Sequence, residues 1–237
     1  MLPAMDSIAS TRPAEALASF DRGPSATEFA YRSLRAAILS LSLPPRTVIS
    51  RGTLAAELGV SQTPVREALI RLQEETLIEV VPHSATRVAR IDLDNARQAH
   101  FLRLSVELEA VRVVAARQDD TAAALEDEIG RQRALLAQGD AAGFAAADTA
   151  FHGLLYNAGG VAGLWELIRS RSGHLDRLRR LHLPSPGKGE MILREHGAIA
   201  AAIRQHAPEA AAQALRRHLS HTFGELDSVR AVHPDYF

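Results

Sequence analysis

The stretch that most constrains this chain of 237 residues runs from Ser50 to Val81. Leu54, Ala55 and Leu58 give a short helix one apolar face. Gly59-Val60-Ser61 then interrupts it, since Gly59 adopts positive φ without steric cost and suits a helix C-terminal cap. Ser61 is a helix N-cap residue, and Pro64 is tolerated in a first turn, where its missing N–H has no intrahelical partner. Val65, Leu69 and Leu72 follow at helical spacing. Two short helices joined by a tight glycine-bearing turn make a helix-turn-helix. Ile78–Val81 and Thr86–Ala89 are short β-prone runs around Pro82-His83-Ser84-Ala85, so a hairpin follows and the layout becomes a winged helix.

The polar residues of this stretch suit duplex DNA. Ser61, Gln62, Thr63, Pro64 and Arg66 crowd the first turn of the second helix, the part that meets base edges when such a helix enters a major groove. Pro64-Val65-Arg66-Glu67-Ala68-Leu69, preceded by Leu54-Ala55 and Leu58-Gly59-Val60-Ser61, resembles the DNA-binding signature of the GntR family of bacterial transcription regulators over residues 26–91. The resemblance implies a winged-helix domain with Arg35, Arg51, Arg66, His83 and Arg87 also facing DNA. Three positions depart from the family pattern. Gln62 and Gly52 stand where the family often has Arg, and Ala85 stands where the wing tip is usually Gly. Arginine prefers guanine and glutamine adenine, so the operator is expected to differ from the family's common one, with Arg51 compensating in part.

Charge supports the division of the chain. The net charge is −1, but between Ser25 and Ile91 eight Arg face six Glu, and the excess of acid lies elsewhere. So small a surplus calls for a dimer to assemble a useful phosphate footprint. There is no cysteine, which excludes disulfides and thiolate metal sites and fits a cytoplasmic location. No apolar run approaches the ~20 residues needed to span a bilayer, so no membrane association is expected. Residues 1–25 mix Ala, Ser, Pro and charge without a period and read as a disordered arm.

From Asp92 the periodicity is helical throughout. Segments 92–118, 121–138, 140–157, 161–183, 188–206 and 208–227 predict six antiparallel helices in an all-α bundle spanning 92–228, with a loosely ordered tail over 229–237. The fold class is therefore mainly α. Asp148 and His152 are four apart, hence on one helical face, with His196 and His218 on later helices. Such a set can build a metal site in a bundle interior, and its imidazole and carboxylate donors suit Zn, Ni, Mn or Fe. A lone helical histidine is ordinarily hydrogen-bonded or exposed, and His100, His174, His182, His206 and His233 take that reading, with His221 ambiguous.

Phe144–Leu155 with Asp148-x-x-x-His152, then Glu195-His196 and Arg217-His218, is similar to the FCD ligand-binding domain of the FadR subfamily, the six-helix count pointing to its VanR-like branch. That resemblance implies a divalent ion, zinc favoured, held by Asp148, His152, His196 and His218. It also implies a cavity in which Arg103, with Glu107 at i+4, and Arg171 meet a small carboxylate effector. The expected function is a homodimeric regulator, a repressor, whose affinity for a two-fold-symmetric operator responds to that effector. Two alternatives stay open, a regulator for which the ion itself is the signal and a metal-dependent hydrolase. Against the hydrolase, no H-E-x-x-H general base and no nucleophile motif is present.

Overall fold

The computed structural model describes residues 25–80, 85–117 and 119–237. The expected arm over 1–25 therefore lies outside the described residues apart from Ser25, which caps the first helix, α1 (Ala26–Leu39), by accepting from the Glu28 N–H. After the short strand β1 (Val48–Ile49) come α2 (Arg51–Leu58) and α3 (Gln62–Glu74), joined through Gly59 in the left-handed region at φ 65°. Leu34, Ile38, Leu54, Leu58, Val65 and Leu72 are wholly buried and form the core of this head. The wing is β2 (Ile78–Val80) and β3 (Thr86–Val88), antiparallel as the hairpin requires. Its tip, including His83, lies outside the described residues. Sequence reading missed β1, which pairs antiparallel with β3 and makes it the central strand. Two residues carry no detectable alternation.

The second half is a helical bundle. Asp92 caps α4 (Leu93–Ala116), its carboxylate accepting from the Asp94 and Asn95 N–H groups. There follow α5 (Thr121–Ala137), α6 (Ala141–Ala158), α7 (Ala162–Arg171), α8 (Gly173–His182), α9 (Lys188–Arg204) and α10 (Pro208–Gly224). Val111, Val114, Leu125, Phe151, Leu155, Ile199 and Leu215 fill the interior.

Two expectations are corrected. The single helix over 161–183 is two, so the described bundle has seven helices from α4 to α10 rather than six, and a branch assignment resting on the helix count has no support from it. The break falls at Ser172, whose hydroxyl donates back to the Ile168 carbonyl. Gly173 follows where the head comes closest, a β-carbon there lying 2.7 Å from Leu77 Cδ2. The tail is also ordered. It forms α11 (Leu226–Val232) and a 3₁₀ turn over Pro234–Tyr236, because Val229, Tyr236 and Phe237 find apolar cover against Ile91 and Leu178. The Ile91 N–H donates to the Tyr236 carbonyl at 2.7 Å.

Head and bundle meet mainly along α8. Arg177, fully buried, donates to the carbonyls of Ala89 (2.7 Å) and Arg90 (3.2 Å). Its neighbour His174 accepts at Nδ1 from the Asp92 N–H (2.8 Å) and from Arg177 (2.9 Å), which leaves the ring proton on Nε2 facing Thr76.

Candidate metal centre and nucleic-acid face

On the head, Ser61, Gln62, Thr63 and Arg66 are exposed around the first turn of α3, with Pro64 half-buried among them. Ser61 makes no side-chain cap bond. Arg51 is exposed at the start of α2, and Arg87 lies half-buried on β3 with its Nε unpartnered among the described residues. None of these side chains is held by an ion pair among the described residues, so the turn presents free donors and acceptors on one side of the head.

Arg35 is different. Its Nε pairs with Glu75 at 2.7 Å and its NH2 donates to the Arg169 carbonyl at 2.5 Å, leaving the side chain 12% exposed. Arg35, expected at the DNA, is engaged here as a tie between head and bundle. The i, i+4 arithmetic showed Arg35 off the apolar face of α1 but did not reveal that α7 covers it.

In the bundle, α6 places Asp148 and His152 on one buried face, and α9 and α10 bring His196 and His218 to the same point. One ligand atom from each of the four lies within 4.8 Å of all the others. His218 Nε2 is 3.2 Å from both His152 Nε2 and His196 Nε2, and His196 Nε2 is 3.7 Å from Asp148 Oδ1.

The outer partners decide where the protons are. His152 Nδ1 faces Glu107 Oε2 at 2.8 Å, and His218 Nδ1 faces Glu195 Oε2 at 3.0 Å. Burial alone would raise the Glu107 pKa, but Arg103 and His152 outweigh it and hold the carboxyl well below its ordinary range. Both carboxylates therefore accept, and each Nδ1 carries a proton. His196 Nδ1 meets Gln132 Oε1 at 2.8 Å, an orientation fixed because Gln132 Nε2 donates to the Ala147 carbonyl. The three Nε2 atoms thus turn lone pairs toward one another with no proton between them.

A second proton on His152 or His196 is disfavoured. Burial lowers the pKa of His152 to about 4 and that of His196 well below the usual imidazole value. Asp148 Oδ1, fully buried, has no hydrogen-bond donor among the described residues, while Oδ2 accepts from Arg179 at 2.5 Å. Three converging lone pairs and one orphaned carboxylate oxygen fit a divalent cation. Two imidazole nitrogens on one ion at ~2.1 Å are separated by roughly 3.0–3.4 Å, as here. Each histidine is oriented by an acceptor on its other nitrogen, the usual outer arrangement of a metal site. Phe151 stacks flat on the His196 ring at 3.8 Å between centroids and closes one side.

Beside the cluster lies a cavity of about 280 Å³. Asp148 and His218 reach its wall, which also includes Phe144, Arg179, Met191 and, from the end of α1, Leu39 and Ser40. The expected effector residues lie off this wall. Arg103 and Glu107 are buried and paired at 2.6 Å, outside the cavity wall, and Glu107 also accepts from Tyr156 at 3.2 Å. Arg171 is exposed and off the wall. Three arginines line the wall, Arg169 on α7 and Arg179 and Arg180 on α8, and Arg179 is the one that pairs with Asp148 of the cluster. Gln132 and Glu195 were missed as orienting partners. Glu195 does point away from His196, as helical geometry requires, but toward His218 and His221 on α10. His221, ambiguous in the sequence, pairs with Glu195 at 2.7 Å rather than joining the four. Of the histidines given an ordinary role, His174 and His182 are buried and hydrogen-bonded.

Comparison with known proteins bears on both halves. Residues 26–88 match the family described as bacterial regulatory proteins, gntR family, and residues 98–221 match the FCD domain. A Streptomyces ambofaciens protein named as an uncharacterized HTH-type transcriptional regulator in an unstable DNA locus is 36% identical, covering 87% of each chain. The HTH-type transcriptional repressor RspR of Escherichia coli is 28% identical over 87% of this chain and 91% of its own. Among solved structures, E. coli McbR/YncC superposes with a TM-score of 0.74 at 20% identity, over 87% of this chain and 99% of that one. A GntR regulator from Rhodococcus sp. RHA1 gives the same score at 23% identity, over 86% and 98%, and both likenesses speak for the fold alone. No described helix is long and apolar enough to cross a membrane. The chain is a member of the gntR family of bacterial regulatory proteins with an FCD domain, a DNA-binding transcription regulator rather than an enzyme.

Proposed function

We propose that this regulator, acting as a cytoplasmic homodimer, represses by binding a two-fold-symmetric operator, and that a small carboxylate bound at a divalent ion controls that grip. The observation carrying the sensor half is the convergence of three Nε2 atoms and the orphaned Asp148 Oδ1 at the rim of a cavity. Asp148, His152, His196 and His218 would hold the ion, with zinc favoured. Bound there, it supplies open coordination positions for carboxylate oxygens. A cavity of about 280 Å³ suits an acid of a few carbons. Arg179 stands at the same rim to meet a carboxylate by its planar fork.

Exposed Arg51, Ser61, Gln62, Thr63 and Arg66 would face the duplex, with Pro64 shaping the turn that carries them and Arg87 on the wing. His83 is assigned to the wing tip from the sequence alone. Signal would pass through α8. That helix carries Asp176, Arg179 and His182 on the cavity wall, and it also carries His174 and Arg177, which grip the linker below the head. An effector acts on DNA binding only through its different affinity for the two head arrangements. Repression is supported by the kinship to RspR.

Mobility-shift titrations with zinc-loaded and chelator-stripped protein, each with a panel of organic acids, test the proposal. Acid-dependent release from zinc-loaded protein alone is expected. If zinc alone moves the affinity and no acid does, the ion is the signal; if neither does, the sensor reading is lost.

A further inference from the structure

The chain carries 26 arginines but a single lysine, Lys188, and that lysine lies on the wall of the chamber. The other cationic wall residues have partners. Arg179 pairs with Asp148 (2.5 Å), Arg169 lies 3.8 Å from Asp176, and Arg180 donates to the Ala141 carbonyl (2.9 Å). His182 meets Glu225 (2.8 Å), and both His218 and His221 meet Glu195. Lys188 has no ion pair or side-chain hydrogen bond among the described residues. Glu195, the acid of the same helix that lines the wall, is already shared between two imidazoles. Half-burial lowers the pKa of the ammonium, and Arg179 adds to the effect while Glu225 and Glu195 oppose it. Lys188 also opens α9 behind Gly187, which offers no side-chain cap, so the positive end of that helix dipole lies beside the ammonium.

A partly desolvated ammonium without an ion pair among the described residues, on the wall of a cavity that already has an ion site, is one positive group more than a single carboxylate needs. We propose that Lys188 receives a second anionic group of the effector, so that the chamber selects dianions over simple monocarboxylates. This rests on the reading of the chamber as a carboxylate site. One group of the ligand would meet the ion and Arg179, and the other, a carboxylate or a phosphoryl group, would meet Lys188. A lysine suits that end because its ammonium is a compact point charge.

The test uses zinc-loaded protein and calorimetric titration with butyrate, succinate and 3-phosphonopropionate, on the natural chain and on Lys188→Met. The natural chain is expected to bind one or both dianions at least about tenfold more tightly than butyrate, the scale of one charge-assisted hydrogen bond. The larger ratio identifies the second group. Lys188→Met should abolish the preference, weakening the dianions far more than butyrate, with zinc content unchanged. A preference that survives in the variant, or equal binding of butyrate and both dianions by the natural chain, overturns the proposal and leaves the carboxylate reading standing. Binding of no acid at all removes both.

A second readout needs no variant. Since Lys188 is the only lysine, an amine-acylating reagent can mark only it and the chain terminus. The preferred dianion should protect Lys188 and butyrate should not. Equal acylation in both overturns the proposal.

Discussion

Glu107→Gln is the substitution for which this structure makes the sharpest demand. The carboxylate is wholly buried and receives three donors on two oxygens: Arg103 Nε at 2.6 Å, His152 Nδ1 at 2.8 Å and Tyr156 OH at 3.2 Å. Glutamine keeps the shape but only one accepting oxygen. In either amide orientation its NH₂ faces a donor, either His152 or the Arg103–Tyr156 pair. Arg103, 4% exposed, would also lose its counter-charge. Breaking one side of a buried ion pair costs about 3–5 kcal/mol. In a chain of this size that lowers the melting temperature by roughly 6–20 °C. With the amide oxygen kept by the two donors Arg103 and Tyr156, His152 loses the acceptor that fixes its tautomer, which for an outer partner of a ligand costs about 10–100-fold in metal affinity. Calorimetric melting and competitive zinc titration against a chelating dye measure the two effects. A Glu107→Gln variant that melts within about 1 °C of the natural chain and binds zinc equally well would falsify the network as described.

Three further outcomes are expected. Gly173→Ala gains a few tenths of a kcal/mol in helix propensity but drives a β-carbon to 2.7 Å from Leu77, itself wholly buried, so a net loss of about 1–2 kcal/mol should appear with zinc affinity unchanged; a more stable variant would refute the close approach. Burial, with Arg177, holds the His174 pKa at about 4, below the unfolded value near 6.5. The unfolded chain therefore binds more protons between those values, and stability complete above pH 6.5 should fall by about 3 kcal/mol toward pH 4. Denaturant melts of His174→Gln should show a shallower slope across that window, and an unchanged slope contradicts the assignment. Finally, Gln62→Arg should shift base preference at one operator position from adenine toward guanine by about 1–3 kcal/mol in selection assays, whereas Arg35→Ala should leave base preference unaltered.

Much of this was legible in the residues because short-range rules govern it. Gly59, Ser61 and Pro64 specify a turn and a helix start within six positions, and Asp148 with His152 share a helical face by spacing alone. That His196 and His218 join them is a tertiary fact, reached through family resemblance rather than through spacing. The outer partners Glu107, Gln132 and Glu195 sit on three different helices, and no local pattern marks them. The break at Ser172 was hidden because Leu164, Leu167, Ile168, Leu175 and Leu178 carry an apolar pattern through it. Missing it hid which α8 residues reach the cavity, since Gly173 meets Leu77 and starts a new helix there. The pairing of Arg35 was hidden for a similar reason: a residue off the apolar face of its own helix is covered by another domain.

The most direct measurement is zinc-edge X-ray absorption on purified, zinc-loaded protein beside its His152→Ala, His196→Ala double variant. The account predicts one ion per chain in the natural protein, with three imidazole nitrogens at ~2.0–2.1 Å and oxygen completing the shell, and no bound ion in the variant. Fewer than three imidazoles, or the same spectrum from both proteins, would place the ion elsewhere and contradict the account.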